Sequence, residues 1–425
     1  MREMKDSGIE WIGEIPLSWH INKIKHNFII VSGATPKSEN TDYWDGDITW
    51  ITPADYKTQD KYVSHGKRNI TQKGYDSCGT TIIPTGSIVF SKRAPVGTVA
   101  ITEGELCTNQ GCLSCVQKEL ANSTYYYYVM SVFTEQFELL SSGTTFKEIS
   151  ANAFADFCVP NPTINEQKRI ADFLDKECAR IDTVIEKTRA SIEEYKKLKQ
   201  SVITQAVTKG IRPNRNMKDS GIEWVDEIPE DWKVQRIKTI FRLRDERNYL
   251  PLEDVNLISL YTDLGVVQHC DLEKTTGNKA SNADGYKKVY ENDIIVNIIL
   301  CWMGAIGRSA YTGVTSPAYD IYVPTDEAES QFYHYYFRTT GFSGDCYKRG
   351  KGIMAMRWRT YSDQFRDIIV VIPPIEEQRE IIKYLDEKLN SIENIIVKKE
   401  QFLTEMEDYK KALIFEYVTG KKEVV

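Results

Sequence analysis

The sequence predicts an α+β protein in which two globular domains of mixed strands and helices are joined by two long antiparallel coiled-coil helices, with internal pseudo-two-fold symmetry. Three observations lead to this prediction. A motif near the start of the chain returns half a chain later, and a second motif repeats with nearly the same offset. A long apolar heptad pattern without glycine or proline follows that second motif both times.

The composition is that of an ordinary globular protein. The 425 residues carry a net charge of −7, with 41% hydrophobic and 27% charged residues, which suits two or three domains and excludes a disordered chain or a disulfide scaffold. The longest apolar stretch, residues 294–306, contains Asn297 and is shorter than the roughly 20 residues of a membrane span. Nine cysteines and no secretory signal predict a cytoplasmic protein without a membrane partner.

The first repeated motif occupies residues 4–15 and 217–228, which share ten of twelve residues at an offset of 213. A proline follows each copy, and a tryptophan lies three residues further on. The second motif begins with Glu-Gln at residues 166–167 and 377–378, an offset of 211. Two repeats approaching 210 residues are too long for a solenoid and too few for a propeller, so we infer a duplicated domain.

Four segments follow from these repeats. Residues 1–162 form a first globular domain, 163–210 a central coiled-coil helix, 211–373 a second globular domain and 374–425 a C-terminal coiled-coil helix. The globular domains diverge between the repeated motifs. A shared frame with two different inserts suits a protein that reads two different things at a fixed separation.

The two helices are predicted from apolar residues spaced three and four apart. The seam residues are Leu174, Cys178, Ile181, Ile185, Ile192, Tyr195, Leu198, Val202 and Ala206 in the first helix, and Leu385, Leu389, Ile392, Ile396, Leu403, Met406, Tyr409, Leu413 and Tyr417 in the second. Thr163 with Glu166 predicts a capping box at the first helix start. Gly210 and Gly420 mark the ends.

Both seams carry a polar residue at one matched position, Thr188 and Lys399, which is typical of a register-setting break. At 1.5 Å per residue each helix is about 65–70 Å long and needs a partner for its apolar stripe. We predict that the two helices pack antiparallel. The alternative is that each lies on its own domain, which usually requires a wider stripe.

Both inserts have the pattern of α+β domains built from short strands. In the first, residues 46–51 and 86–91 alternate like strands that begin at turns, and residues 125–140 predict one helix. In the second, residues 292–296 predict a strand and residues 331–337 the start of the corresponding helix.

The densest cationic run lies near the end of the second insert. Between residues 348 and 359 there are five cations, two glycines, a tryptophan and no acid, which indicates contact with nucleic acid; the alternative is a solvated charged face. The matching loop and a post-strand loop of the first insert add candidates. The candidate DNA-binding residues are Ser91, Lys92, Arg93, Thr145, Lys147, Lys348, Arg349, Lys351, Arg357, Trp358 and Arg359. Weaker candidates, interleaved with acids, are Arg242, Arg244 and Arg247.

No catalytic constellation is complete in the sequence. Residues 316–319 (Ser-Pro-Ala-Tyr) loosely match the loop with which methyltransferases hold a base, but no glycine-rich turn for S-adenosylmethionine and no P-loop occur. Cys107, Cys112 and Cys115 have the spacing of an iron–sulfur site; the alternative is buried strand residues. The histidines have no ligand spacing. We therefore predict no catalytic residue, no metal and no cofactor.

Taken together, the chain resembles the specificity subunit of type I restriction–modification systems. A variable domain and then a proline with Ile-x-Glu-Gln and Leu-Asp opening a long helix occur twice, at residues 162–175 and 374–386. Three short segments resemble features of the family's target recognition domains, namely residues 33–36, residues 50–51, and residues 90–93 with Gly97. The resemblance covers essentially the whole chain. The sequence departs from the family pattern at residues 301–304, where Cys-Trp-Met-Gly replaces the usual Ser/Arg-rich loop.

The resemblance implies a non-catalytic subunit that binds double-stranded DNA. Each target recognition domain would read one half of a bipartite sequence, and the helices would set the spacer and dock two methyltransferase subunits. Restriction subunits would join that core. Half-sites about 34 Å apart, one turn of B-DNA, are within reach of such helices, and two unlike domains predict an asymmetric target. The competing hypothesis is a non-catalytic scaffold with two protein-binding end domains.

Overall fold

The computed structural model describes residues 2–57, 60–93, 95–142, 147–269, 282–352 and 358–424. The chain forms two compact units, the first made of residues 1–189 with 401–425 and the second of residues 190–400. The division falls within both long helices because the two ends of each helix pack into different units. The four predicted segments follow the chain rather than its packing, and their boundaries stay a prediction.

The first unit is built from short strands and short helices. Its strands are β1 (Met4–Asp6), β2 (Glu14–Pro16), β3 (His20–Lys23), β4 (Phe28–Ser32), β5 (Trp44–Ile51), β6 (Tyr62–Val63), β7 (Arg68–Ile70), β8 (Ile88–Ser91), β9 (Val99–Thr102), β10 (Cys107–Thr108), β11 (Cys112–Gln117) and β12 (Cys158–Asn161). Its helices are α1 (Ile24–Asn27), α2 (Gln72–Asp76), α3 (Ser123–Val132), α4 (Thr134–Leu139), α5 (Ala151–Ala155), the start of α6 (Ile164–Lys209) and the end of α11 (Ile375–Val418).

The centre of the first unit is a sheet with the strand order β4-β11-β8-β9-β6. Neighbouring strands are antiparallel except for β6, which runs parallel to β9. All four residues of β8 are buried, as expected for a central strand covered on both faces. Aromatic side chains from the helices complete the core, as where the rings of Phe90 and Phe137 meet edge to face with centroids 4.9 Å apart.

The single helix predicted over residues 125–140 is wrong, because the segment forms α3 and α4 instead. Phe133 separates them with φ −99° and ψ 23°, outside the helical region. Its side chain is 1% exposed and lies in the core. Burial of this aromatic ring therefore accompanies the break that the apolar periodicity did not reveal.

The second unit contains the remaining elements. Its strands are β13 (Met217–Asp219), β14 (Glu227–Pro229), β15 (Lys233–Arg236), β16 (Phe241–Arg244), β17 (Ile258–Tyr261), β18 (Gly265–Gln268), β19 (Lys287–Val289), β20 (Ile294–Asn297), β21 (Ile306–Arg308), β22 (Gly313–Thr315), β23 (Tyr319–Pro324) and β24 (Ile369–Ile372). Its helices are the end of α6, α7 (Ile237–Ile240), α8 (Ser330–Phe337), α9 (Thr340–Arg349), α10 (Ser362–Arg366) and the start of α11.

The second unit repeats the central sheet of the first despite the divergent sequence. Its strand order β16-β23-β20-β21 matches β4-β11-β8-β9, and every neighbouring pair is antiparallel. A buried, aromatic-rich helix follows the sheet in each unit, α3 in one and α8 in the other. The duplication inferred from the terminal motifs thus extends through the inserts.

The helices α6 and α11 pack antiparallel in both units, as predicted. In the first unit the carboxylate of Asp182 pairs with Lys410 at 2.6 Å, and Arg189 pairs with Glu407 at 2.7 Å. In the second unit Lys199 pairs with Glu393 at 2.6 Å. The partner number falls as the residue number rises, which is the register of an antiparallel pair.

The predicted seam fails at one matched position, where Leu198 and its counterpart Tyr409 are 46% and 54% exposed. Further along, the predicted Ala206 and Leu413 are buried, and so are the residues that follow them, Val207 and Ile414. These helix ends pack on the hydrophobic cores of their units, α6 in the second and α11 in the first, so the buried stripe is wider there than a coiled-coil seam.

The repeated motifs fasten each helix start to its unit. Gln167, which is fully buried, accepts a hydrogen bond from the Asn122 N–H at 2.8 Å and donates to the Pro162 carbonyl at 3.0 Å. Gln378 makes the corresponding bonds to Glu329 N–H at 2.8 Å and to the Pro373 carbonyl at 2.9 Å. The Glu-Gln motif is therefore explained by structural bonding.

The Thr163 and Glu166 side chains form part of the predicted capping box at the start of the first helix. The Glu166 N–H donates to Thr163 Oγ1 at 3.4 Å, and the Thr163 hydroxyl donates to the Glu166 carboxylate at 3.2 Å. At the other end Gly210 has φ +73°, and Gly420 has φ +74° after α11. Glycine tolerates this left-handed backbone, which ends both helices.

Candidate nucleic-acid interface

The post-strand loop of the first unit begins where β8 ends. Ser91 is buried, and its hydroxyl donates to the carbonyl of Arg93 at 2.8 Å, so this predicted DNA-binding residue holds the loop rather than lining its surface. The backbone of Lys92 bonds to Gly111 and to Ile149 at 3.0 Å each. These bonds fix the loop between two other segments of the unit.

Glu148 joins the two cationic segments of the first unit. Lys92 Nζ and Arg93 Nε each lie 2.9 Å from its carboxylate. The hydrogen bond from Lys92, together with that from Arg93, lowers the pKa of the Glu148 carboxyl. Lys147, the neighbour of Glu148, is exposed. The structure thus brings Lys92, Arg93 and Lys147 together, whereas Thr145 lies outside the described residues.

The described part of the cationic run of the second unit lies at the end of α9 and in the residues on either side of the gap 353–357. Lys348 pairs with Glu223 at 2.5 Å, with both side chains largely exposed. Arg349 is exposed in the last turn of the helix. Lys351 and Arg359 pair through two backbone hydrogen bonds of 2.9 and 3.0 Å, so these two residues lie opposite each other. Arg357 lies outside the described residues.

Trp358 has an intramolecular partner for its ring. It stacks on Tyr347 with centroids 4.9 Å apart and planes 22° apart, and its indole N–H donates to the Tyr347 carbonyl at 3.1 Å. A Cβ at Gly350 would lie only 2.2 Å from Trp358 Nε1, so glycine is required for this approach. The ring of Trp302 lies 5.6 Å from that of Tyr347 and extends the aromatic cluster.

The candidate segments meet at equivalent places in the two units. In the first, the Ile149 N–H donates to the Lys92 carbonyl at 3.0 Å; in the second, the Thr360 N–H donates to the Ile298 carbonyl at 2.8 Å. Each bond ties the loop after the central strand to the segment before the next short helix. We call the resulting groups the first loop cluster (residues 91–97 and 141–149) and the second loop cluster (residues 297–304 and 347–360), within the described residues.

The weaker arginine cluster serves the fold of the second unit. Arg244 donates to the buried Asp293 carboxylate at 3.0 Å and stacks 4.5 Å over the ring of Tyr290. Arg247 pairs with Asp245 at 2.6 Å. Arg242 is exposed on β16. Sequence reasoning missed Tyr347, Trp302 and Met303 in the second loop cluster, and the unusual residues 301–304 were the signal available.

The three closely spaced cysteines occupy different hydrophobic clusters. Cys107 packs with Trp44 and Trp50, Cys112 near Tyr56, and Cys115 in the main core of the first unit. Burial raises the pKa of Cys107 to about 11 and that of Cys112 to about 12, which disfavours the thiolate that a metal requires. Among the described residues no group of three histidine, cysteine or acidic side chains could hold a metal ion.

His334 is half-buried in the second unit, where its Nδ1 accepts a hydrogen bond from the Arg308 backbone N–H at 3.2 Å. Burial lowers the pKa of His334 to about 3, with the charges of Arg338 and Arg308 acting in the same direction. In the unfolded chain the imidazole takes up a proton below about pH 6.5. The unfolded state is therefore favoured as the pH falls from about 6.5 towards 3.

We expect the second unit to lose about 2 kcal/mol of stability between pH 6.5 and 5 through His334. His334→Asn keeps an acceptor for the Arg308 N–H but does not titrate, so it should remove that part of the pH dependence. Urea unfolding of both proteins across this range measures the difference. Parallel pH profiles for the two proteins would contradict the assignment.

One family model matches each half of the duplicated chain. The family model described as "Type I restriction modification DNA specificity domain" matches residues 16–194 and again residues 229–403, which together make up most of the chain. The chain belongs to the type I restriction–modification DNA specificity family. It carries two specificity domains. The first match includes the first loop cluster, and the second match includes the second loop cluster.

Several curated members of this family are similar in sequence. The MjaIX specificity subunit of Methanocaldococcus jannaschii is 34% identical over 56% of this chain, an alignment that spans just over half, 55%, of that subunit. The EcoBI specificity subunit of Escherichia coli is 25% identical over 72% of this chain and 68% of its own length. The putative MjaX specificity subunit of Methanocaldococcus jannaschii is 24% identical over 97% of this chain and 96% of its own length.

Solved structures share the fold. A structure titled for complex assembly and conformational transition of the type I R-M system has a TM-score of 0.73 at 12% identity, covering 96% of this chain and 99% of that one. The HsdS subunit of Thermoanaerobacter tengcongensis has a TM-score of 0.57 at 14% identity, covering 96% of this chain and 98% of that one.

Among the described residues no helix is both long and apolar enough to span a membrane.

Proposed function

We propose that this specificity-family chain is a non-catalytic DNA-reading subunit, with the first loop cluster reading one half of a bipartite target and the second loop cluster the other. The observation that carries the proposal is one central sheet, repeated with the same strand order, that supports two chemically different loop clusters. A shared scaffold with different reading loops is what independent recognition of two half-sites requires.

The difference between the loop clusters supports an asymmetric target. The first presents the exposed cations Arg93 and Lys147, which suit phosphates and guanine edges, while Lys92 is largely buried against Glu148. At the corresponding place the second has the uncharged residues 298–303. Identical readers related by a two-fold axis would require a palindrome, and these readers are unlike.

We further propose that α6 and α11 set the spacer and dock two methyltransferase subunits, which restriction subunits then join. Exposed apolar side chains on the helix pair support two docking surfaces. In the first unit Val184 and Tyr409 are 40% and 54% exposed; in the second Leu198 and Ile395 are 46% and 37% exposed. Val184 matches Ile395, and Leu198 matches Tyr409, at the offset of 211. We call the exposed pair in each unit a patch, and two patches at equivalent positions suit two copies of one partner.

The patches give a direct test of the stoichiometry. The double variant Val184→Asp with Tyr409→Asp should bind one methyltransferase instead of two, because a charge at a desolvated interface lacks a partner. Adding Leu198→Asp and Ile395→Asp should abolish binding. Native mass spectrometry of the co-expressed complex counts the subunits. Leu139→Asp, at an 82% exposed position of α4, is the matched control and should retain two.

Methylation itself tests the function. A methyltransferase purified without this chain should leave plasmid DNA unmodified, and the complex should methylate adenine at one sequence. Equal methylation with and without the chain would contradict the proposal. A chain that captures proteins but confers no sequence preference would instead be the scaffold.

A further inference from the structure

The turn after β20 exposes apolar side chains where the first unit presents cations. Residues 298–303 contain no charge, yet Met303 is 54% exposed and Leu300 is 38% exposed. Such exposure at the tip of a loop in a candidate DNA interface indicates contact with a partner that has apolar groups.

This turn is held in one conformation. The side chain of Asn297 accepts hydrogen bonds from the N–H groups of Ile299 and Leu300 at 3.0 and 3.3 Å. The Trp302 indole donates to the Ile299 carbonyl at 2.9 Å, and Gly304 closes the turn with φ +88°. A fixed turn loses little conformational entropy on binding, so its exposed side chains can contribute to selectivity.

The guanidinium of Arg338 joins this turn to the hairpin between β17 and β18. It donates to the carbonyl of Gly304, which closes the turn, at 3.4 Å and to the carbonyl of Thr262 at 2.7 Å. The hairpin tip carries Leu264, which is 66% exposed. Arg338 therefore serves as a brace, and Leu264 and Met303 project from two turns that it holds together. We call these two side chains the apolar ridge.

Exposed positive charge near the apolar ridge lies on the side of α9. Leu264 and Met303 line one groove of about 1450 Å³ within the second unit, whose own charged lining is mixed, with Lys196 and Lys199 beside Asp263, Asp386 and Glu393. Trp302, next to Met303, packs 5.6 Å from Tyr347 at the end of α9, where Arg349 and then Lys351 are exposed. An apolar contact flanked by cations fits DNA, because phosphates surround the few apolar groups of the grooves.

We propose that the apolar ridge reads thymine through its C5-methyl group in the half-site bound by the second unit. This inference rests on the proposed function and makes it more specific. The thymine methyl is the group of the major-groove base edges that offers an apolar contact, and it distinguishes thymine from cytosine and from uracil. The half-site of the second unit must then contain at least one A·T pair.

Replacement of thymine by deoxyuridine tests this contact. The complete methyltransferase complex is measured on its own target duplex, with every thymine of the second unit's half-site replaced. Loss of one buried methyl should weaken binding about three- to tenfold. The same replacement in the other half-site is the matched control. Met303→Ala should bind the thymine and deoxyuridine duplexes equally, and Met303→Leu should restore the preference.

Two results would overturn the proposal. One is equal binding of thymine and deoxyuridine duplexes by the unaltered complex, which would also follow if the apolar ridge contacted a protein. The other is a preference for thymine over deoxyuridine that stays unchanged both in Met303→Ala and in Leu264→Ala. Failure of the proposed function looks different, because the unaltered complex would then show no preferred sequence at all. Thermal unfolding of each variant confirms that the second unit is folded.

Discussion

Exchange of residues 20–160 for the corresponding segment of a relative with another target is expected to change one half of the methylated sequence and to leave the other half intact. The structure explains why these limits are suitable. β3 and β12 pair antiparallel, with His20 opposite Asn161, so the segment enters and leaves through adjacent strands. Several mismatched pairs at about 1–3 kcal/mol each should abolish methylation of the old sequence.

The reciprocal exchange is the matched control. Residues 233–371 also begin and end in paired strands, since Lys233 lies opposite Ile372 in β15 and β24. That exchange should change only the other half. Sequencing of methylated adenines reads both outcomes. A change in both halves after a single exchange would show that the two units do not read independently.

Glu377→Ala is expected to destabilise the second unit by about 3 kcal/mol. The carboxylate is fully buried, accepts from the indole N–H of Trp232 at 3.1 Å and pairs with Arg215. Removing it leaves a buried donor without a partner and weakens the pairing of a largely buried cation. Hydrogen exchange of the amides in residues 217–236 measures the loss.

The repeat supplies the control for this variant. Glu166 makes the corresponding contacts to Trp19 at 3.3 Å and to Arg2 at 2.9 Å, but its side chain is 14% exposed. Glu166→Ala should therefore cost about 1 kcal/mol in the first unit. Glu377→Gln retains an acceptor for Trp232 and should recover part of the loss. Equal costs at the two glutamates would show that burial does not set the difference.

The frame of the molecule could be predicted from sequence because its signals are local. Heptad spacing and terminal glycines predict α6 and α11 to within a few residues. Lys399 lies 5.7 Å from the ring of Tyr195, a contact that its matched position with Thr188 did not indicate. The exposed positions of Leu198 and Tyr409 could not be predicted. They lie before the stretch in which the end of each helix packs on the core of its unit, and that packing depends on contacts between distant residues.

The inserts were less predictable because their shared sheet depends on non-local pairing. Many different apolar sequences can fill the same strand positions, so the common strand order left little trace. Trp358 illustrates the same difficulty at the site. Its stacking partner Tyr347 lies eleven residues away on α9, and only folding shows that one face of the ring is covered. The positive charge of residues 348–359 could be predicted from the sequence, but the residues that these side chains contact could not.

The central claim is that one chain carries two unlike DNA readers held at a set spacing. The most direct measurement is sequencing of methylated adenines in a host with and without this gene. We expect one bipartite sequence with two different specified parts, separated by a fixed number of unspecified bases, and its loss when the gene is removed. A palindromic or uninterrupted methylated sequence that depends on this gene would contradict the account.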